Sequence, residues 1–139
     1  MIERTTDLRR VKKLMDENPR ADGVRVDLRI GRDVIYLIEK EYGKDLGVWC
    51  FEPNGSEYDI HAHMGVMCRG IVGKRSALDA IQWLYENTEC SDIVATIPIA
   101  LKHSQRLTVA TGFDFVKQVL GFRYYKMTRH KFNNMKEAA

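Results

Sequence analysis

Only three cysteines occur in 139 residues: Cys50, Cys68 and Cys90. Their number is odd, their spacing is wide and no CxxC is present, which argues against structural disulfides and against a thiolate metal site. No apolar run approaches the ~20 residues of a membrane-crossing helix. The N-terminus lacks a signal-peptide profile, so a cytoplasmic location is expected. Low-complexity tracts and internal repeats are missing too. The net charge is only +3, too small by itself to point to nucleic acid. What remains is an ordinary globular composition, long enough for one domain with a core of two packed layers.

One stretch carries most of the information. From Glu57 to Met64 the residues alternate. Glu57, Asp59, His61 and His63 share one side, and Tyr58, Ile60, Ala62 and Met64 the other, the period-2 pattern of a half-buried strand. Gly65-Val66-Met67-Cys68 and Arg69-Gly70-Ile71-Val72-Gly73-Lys74 follow. Ala77, Ala80, Ile81, Leu84 and Tyr85 then recur at helical spacing and predict a helix over Ser76–Glu86. A glycine loop feeding a helix N-terminus offers unpaired N–H groups at the positive end of the helix dipole, which suits a phosphate. The same glycines also serve a plainer role, a tight turn from strand to helix.

The rest of the chain reads as support for this unit. Met1–Thr5 suits a short edge strand. Thr6 or Asp7 caps a helix with Leu8, Val11, Leu14 and Met15 on one side, ended by Asn18-Pro19. Its Arg9, Arg10, Lys12 and Lys13 form a solvated face or, less simply, an anion-binding one. Val24, Val26, Leu28 and Ile30 alternate with charged residues as in a strand. Val34–Glu39 and Leu46–Phe51 are two more strands, and Asn54-Gly55 is the strongest hairpin signal, so a three-stranded antiparallel meander is expected. Ile93–Ile97, stopped by Pro98, follows the helix and should pair parallel with the Glu57 strand through a crossover. Leu101–Thr111 reads as a helix closed by Gly112, and Phe113–Val119 with Phe122–Thr128 as a final hairpin. From Arg129 the chain turns polar and is expected to fray. Residues 1–130 are read as the domain and 131–139 as a polar tail.

In this order, Tyr58-Asp59-Ile60-His61, Arg69-Gly70, Trp83 and Tyr85, Ile97-Pro98 and Gly112-Phe113 resemble the GNAT superfamily of acetyl-coenzyme A-dependent N-acetyltransferases. The variety is one encoded by bacteriophages and their hosts. The resemblance runs from Tyr58 to Phe113. It implies an α/β fold: a mixed sheet with helices on both faces, an antiparallel N-terminal meander and a parallel pair splayed at the cofactor site. It further implies acetyl-coenzyme A as cofactor. The pantetheine arm would lie along Met64–Cys68, beside Met64, Val66 and Cys68, and the pyrophosphate on Arg69, Gly70, Gly73 and Lys74. An amine, small molecule or protein, is the acceptor. Phage head-assembly proteins share the same general look and imply the alternative, a scaffold without chemistry that contacts phage structural proteins or a second copy of itself.

For a general base, the strand's polar side offers Asp59, His61 and His63, with Glu57 farther from the loop. Histidine, with an ordinary pKa of about 6.5, suits an ammonium substrate. The plainer reading is that these residues line a wet groove. His61 and His63 lack a third ligand at a recognised spacing, so no metal is expected. Cys68 beside Arg69 has a setting for a lowered pKa, but direct transfer needs no cysteine, and a buried structural thiol is expected. The resemblance breaks at two positions. Leu101 stands where the family commonly has asparagine, and Thr108 where it commonly has a tyrosine acid. A threonine hydroxyl is too weak an acid for that role, leaving Tyr124 or Tyr125 as substitutes unless they only pack.

Overall fold

The computed structural model describes residues 1–19, 26–65 and 70–138. In chain order the elements are β1 (Ile2–Thr5), α1 (Leu8–Glu17), β2 (Ile35–Glu41), β3 (Lys44–Asn54), β4 (Glu57–Met64), α2 (Ile71–Asn87), β5 (Asp92–Pro98), α3 (Lys102–Thr111), β6 (Asp114–Val119), β7 (Phe122–Thr128) and α4 (Arg129–Ala138). The strands form one seven-stranded sheet in the order β1-β2-β3-β4-β5-β7-β6. All neighbours are antiparallel except β4 and β5.

The sheet is buried on both sides because β2 and β3 are apolar in both phases of their alternation. Tyr36, Ile38, Val48 and Cys50 face α1, whose Val11, Leu14 and Met15 complete that layer. Leu37, Trp49 and Phe51 face the other way, toward Ala77, Ala80, Ile81 and Leu84 of α2. Asp7 caps α1, its carboxylate accepting from the N–H groups of Arg9 and Arg10 at 3.1 and 3.2 Å. Three of the basic residues of α1 form ion pairs, with Lys13 3.8 Å from Glu17. Arg10 forks onto Asp45 with both contacts at 2.7 Å, and Lys12 reaches Asp16 at 2.8 Å. Leu8 stays 37 % exposed, so the apolar stripe begins one turn later. The hairpin from β3 to β4 turns at Gly55-Ser56, with Asn54 opposite Glu57 and Gly55 at φ 65.

Two expectations are corrected. Val24 and Arg25 lie outside the described residues, but 26–30 have no strand pairing. The Arg29 backbone is held instead by one side chain: its N–H donates to the Tyr36 hydroxyl at 2.9 Å, and its carbonyl accepts from that hydroxyl at 2.8 Å. A tyrosine has replaced a ladder partner. The residues from Arg129 onward do not fray but form α4. Phe132 is buried against Tyr85 at a ring separation of 5.4 Å, and Lys131 pairs with Asp114 at 2.7 Å. Met135 packs against the same core, so two apolar residues in a polar stretch dock it.

Candidate active site

β4 and β5 run parallel, as the crossover through α2 requires, but they pair only at Tyr58 with Ile93 and Asp59 with Val94. Beyond those residues the strands diverge, and the facing edges of Ile60–Met64 and Ala95–Pro98 have no ladder between them. The wedge opens a cavity of about 600 Å³ in the middle of the sheet. Its walls come from β4 (Ile60 to Met64), β5 (Ala95 to Pro98), the start of α2 (Gly73, Ala77) and α3 (Leu101 to Thr108). Asn18 and Pro19, just after α1, close the other side.

α2 starts at Ile71, earlier than its apolar stripe suggests, so Gly73 and Lys74 stand in the helix's first turn and not in a loop. Gly70 is the N-cap, at φ 65, and no side chain caps the helix. Among the described residues no side-chain cap reaches the first-turn N–H groups, which a helix leaves without intrahelical partners. Gly73 is buried on the cavity wall, and Lys74 is exposed. Val66, Cys68 and Arg69 lie outside the described residues.

The polar side of β4 is the α1 side. His61 stands opposite Cys50, His63 opposite Val48 and Asp59 opposite Glu52. His61 and His63 both line the cavity; Asp59, nearer the closed end of the wedge, does not. His63 is 5 % exposed, and its Nδ1 lies 3.3 Å from the Asn18 carbonyl. A carbonyl only accepts, so this contact puts the hydrogen on Nδ1 and makes Nε2 the basic position of the neutral ring. Among the described residues no set of three or more His, Cys, Asp and Glu is arranged to hold a metal. Cys50 is buried, and burial pushes its thiol up to about 11.

Burial, and then the neighbouring Glu52 and Glu57, push the Asp59 carboxyl up, against the pull of Arg29. A carboxyl harder to ionise in the fold than in the unfolded chain costs stability once pH exceeds its folded pKa, and none below its ordinary value near 3.8. Asp59→Asn should therefore stabilise the protein at pH 7.5, with the gain fading toward pH 4. Urea titrations at the two pH values check this; an equal or reversed effect would refute it.

No protein-family model and no curated protein matches the chain. Solved structures do. A single-residue variant of the spermidine N-acetyltransferase SpeG from Vibrio cholerae superposes with a TM-score of 0.81 at 10% identity, covering 98% of this chain and 99% of that one. Aminoglycoside acetyltransferase AAC(6')-Ib, solved with coenzyme A and kanamycin, gives 0.73 at 15% identity and 98% of both chains. The Campylobacter jejuni N-acetyltransferase PseH, solved with acetyl coenzyme A, gives 0.64 at 15% identity, over 88% of this chain and 77% of that one. The chain carries the GNAT fold. At such identities the likeness speaks for the fold alone.

Against that GNAT fold, the two departures on α3 now have places. Leu101 is the N-cap of α3 and has no side-chain cap bond. One turn on, the Gln105 side-chain amide donates to the carbonyls of Pro98 and Ile99 at 3.1 and 2.8 Å, tying α3 to the end of β5 without capping its first N–H groups. Thr108 lines the cavity, but its hydroxyl donates to the Ser104 carbonyl at 2.7 Å. Neither tyrosine proposed as its substitute lines the cavity. Tyr125 is 2 % exposed and packs edge-on to Phe115, and Tyr124 lies under the Lys117 ammonium at 5.3 Å.

Sequence reasoning passed over three wall residues. Trp49 looks like plain core, yet its Nε1 donates to the buried Ser76 hydroxyl at 2.9 Å, tying β3 to the first turns of α2. His103 and Ser104 line the mouth from the first turn of α3. Their signal was available: the helix after Pro98 has three polar residues in its first turn, in a place where the fold opens.

Proposed function

We propose that this chain is an acetyl-coenzyme A-dependent N-acetyltransferase acting on an amine. One observation carries the reading: the wedge between β4 and β5 joins the first turn of α2, at Gly73, to a wall bearing His61 and His63. A pantetheine-like arm fits an unpaired strand edge and a pyrophosphate fits the N-terminal turn of a helix, and Gly73 of that turn lines the same cavity. When bound, the cofactor supplies an acetyl group activated as a thioester. The first turn of α2 after Gly70, with Gly73, Lys74 and Arg69, holds the phosphates. The unpaired edge of β4 ending at Met64 orients the arm. His63, its ring set by Asn18, takes the proton as the amine nitrogen bonds to the acetyl carbon and the carbon–sulfur bond breaks. His61 lines the approach, and Asp59 stands outside the cavity, nearer the closed end of the wedge.

Calorimetric titration of the wild-type chain with acetyl-coenzyme A tests the reading, with binding expected. Lys74→Glu should weaken it at least tenfold, about 1.4 kcal/mol, by turning a phosphate-facing cation into an anion. No binding at millimolar ligand overturns the proposal.

The engaged Thr108 hydroxyl and the apolar Leu101 favour a second reading, a GNAT-fold scaffold kept for protein contacts such as phage head assembly. The last hairpin offers a surface for it, since Phe115, Val116, Val119, Leu120 and Phe122 are all more than 40 % exposed. Binding of acetyl-coenzyme A with transfer to no amine in a broad panel would favour this reading.

A further inference from the structure

Charge is unevenly placed along the chain. Beyond Ala100 it holds eight Lys and Arg against two acids, Asp114 and Glu137, although the net charge of the whole is only +3. Several of these cations are engaged by the fold: Arg129 by backbone carbonyls, Lys131 by Asp114 at 2.7 Å and Lys126 by Glu57 at 3.0 Å. Among the described residues Lys117 and Arg123 of the last hairpin meet no carboxylate. Each lies over an aromatic ring instead, Lys117 at 5.3 Å from the centre of Tyr124 and Arg123 at 4.2 Å from that of Phe115. The hairpin ends the sheet, so β6 has one unpaired edge, and all 6 of its residues are exposed. The register sets Val119 beside Phe122 and Lys117 beside Tyr124 on one face. Phe122 is 42 % exposed there. None of these residues lines the wedge cavity.

A sheet face of aromatic rings with unpaired cations among them suits a strand of unpaired bases. Every base has a face that stacks on a ring, and the cations meet the phosphates. A purely apolar partner would instead bury both charges with no counter-charge, which is costly. Residues 122 and 124 stand roughly 7 Å apart along β7. Unstacked bases span that separation, and duplex bases, about 3.4 Å apart, do not match it.

We propose that the β6–β7 hairpin is a binding site for single-stranded nucleic acid, with bases stacked on Phe122 and Tyr124 and a phosphate on Lys117. Arg123, on the reverse face, adds to the positive field. The site is separate from the wedge and does not rest on the transferase reading.

Fluorescence anisotropy of a labelled oligothymidine of about 15 nucleotides, titrated with the full chain at low salt, tests this. Saturable binding is expected, weakening as salt rises, and the same strand annealed to its complement should bind at least fivefold more weakly. Phe122→Ala should weaken binding roughly fivefold or more by removing one stacked base. Lys117→Ala should weaken it too and flatten the salt dependence. Both positions are on the surface, and an unchanged Tm confirms the fold of each variant. Absence of binding, equal affinity for the duplex, or wild-type affinity in Phe122→Ala each overturns the proposal. So does sedimentation that finds concentration-dependent dimers lost in Phe122→Ala, which assigns this face to a second copy of the chain.

Discussion

Arg129→Ala should cost about 3 kcal/mol of stability and lower Tm by roughly 10 °C, a large effect for a half-buried residue outside the apolar core. Arg129 opens α4 and turns back over the end of α2. Its Nε and one terminal nitrogen donate to the Cys90 carbonyl at 3.0 and 2.8 Å, and other contacts reach the carbonyls of Tyr85 at 2.9 Å and Thr88 at 3.0 Å. The guanidinium also lies 4.6 Å from the centre of the Tyr85 ring. These carbonyls belong to the end of α2 and the turn into β5, where a helix leaves acceptors without partners. Alanine strands them and loosens the joint that fixes β5 in the sheet. Arg129→Lys should recover only a minor part, because a point ammonium cannot span three carbonyls. Thermal and urea denaturation of both variants measures this; a loss below about 1 kcal/mol for Arg129→Ala would show that water replaces the clip.

The same residue shows where the sequence stopped being readable. Arg129 stands at the head of a polar stretch, and nothing local distinguishes it from Arg106 or Arg123. Its role comes from where the chain returns, not from its neighbours. By contrast, the elements that open and close the site were legible, because their signals are local: the alternation of β4, the stripe of α2, the stop at Pro98 and the left-handed Gly112 that ends α3. The parallel pairing of β4 with β5 followed from the crossover between them. The alternation at 24–30 misled, since 26–30 pack beside the sheet and answer to Tyr36 and to Glu52, which Arg29 meets at 2.8 Å. The α2 boundary was also misjudged. Two glycines made 70–74 look like loop, yet only Gly70 takes a positive φ, and Gly73 is an ordinary helical residue that keeps the wall low. The candidate base was half legible: alternation put four polar residues on one side, but depth alone separates Asp59 from the cavity and buries His63.

On the transferase reading, His63→Ala should lower the rate of amine acetylation by roughly 10²–10⁴-fold while leaving cofactor affinity within about threefold. His63 is placed to act through Nε2, since its Nδ1 meets the Asn18 carbonyl at 3.3 Å and its ring stands at the cavity wall. The wild-type rate should rise as pH is raised through the titration of the base, because only the neutral ring accepts a proton. The rise should disappear in His63→Ala and persist in His61→Ala if His63 is the base. Turnover should be slow even in the wild type, since the Thr108 hydroxyl is committed to Ser104 and is a poor acid for the departing thiolate. Thr108→Tyr places a phenol on that wall and should raise kcat at unchanged pH dependence. Should the chain bind acetyl-coenzyme A but acetylate no amine, with Thr108→Tyr equally inert, the transferase reading fails and the scaffold reading takes its place. Should transfer proceed with His63→Ala and His61→Ala both near wild type, the reaction stands but the base lies elsewhere, and Asp59 or Glu57, farther along the same side of β4, becomes the residue to replace next.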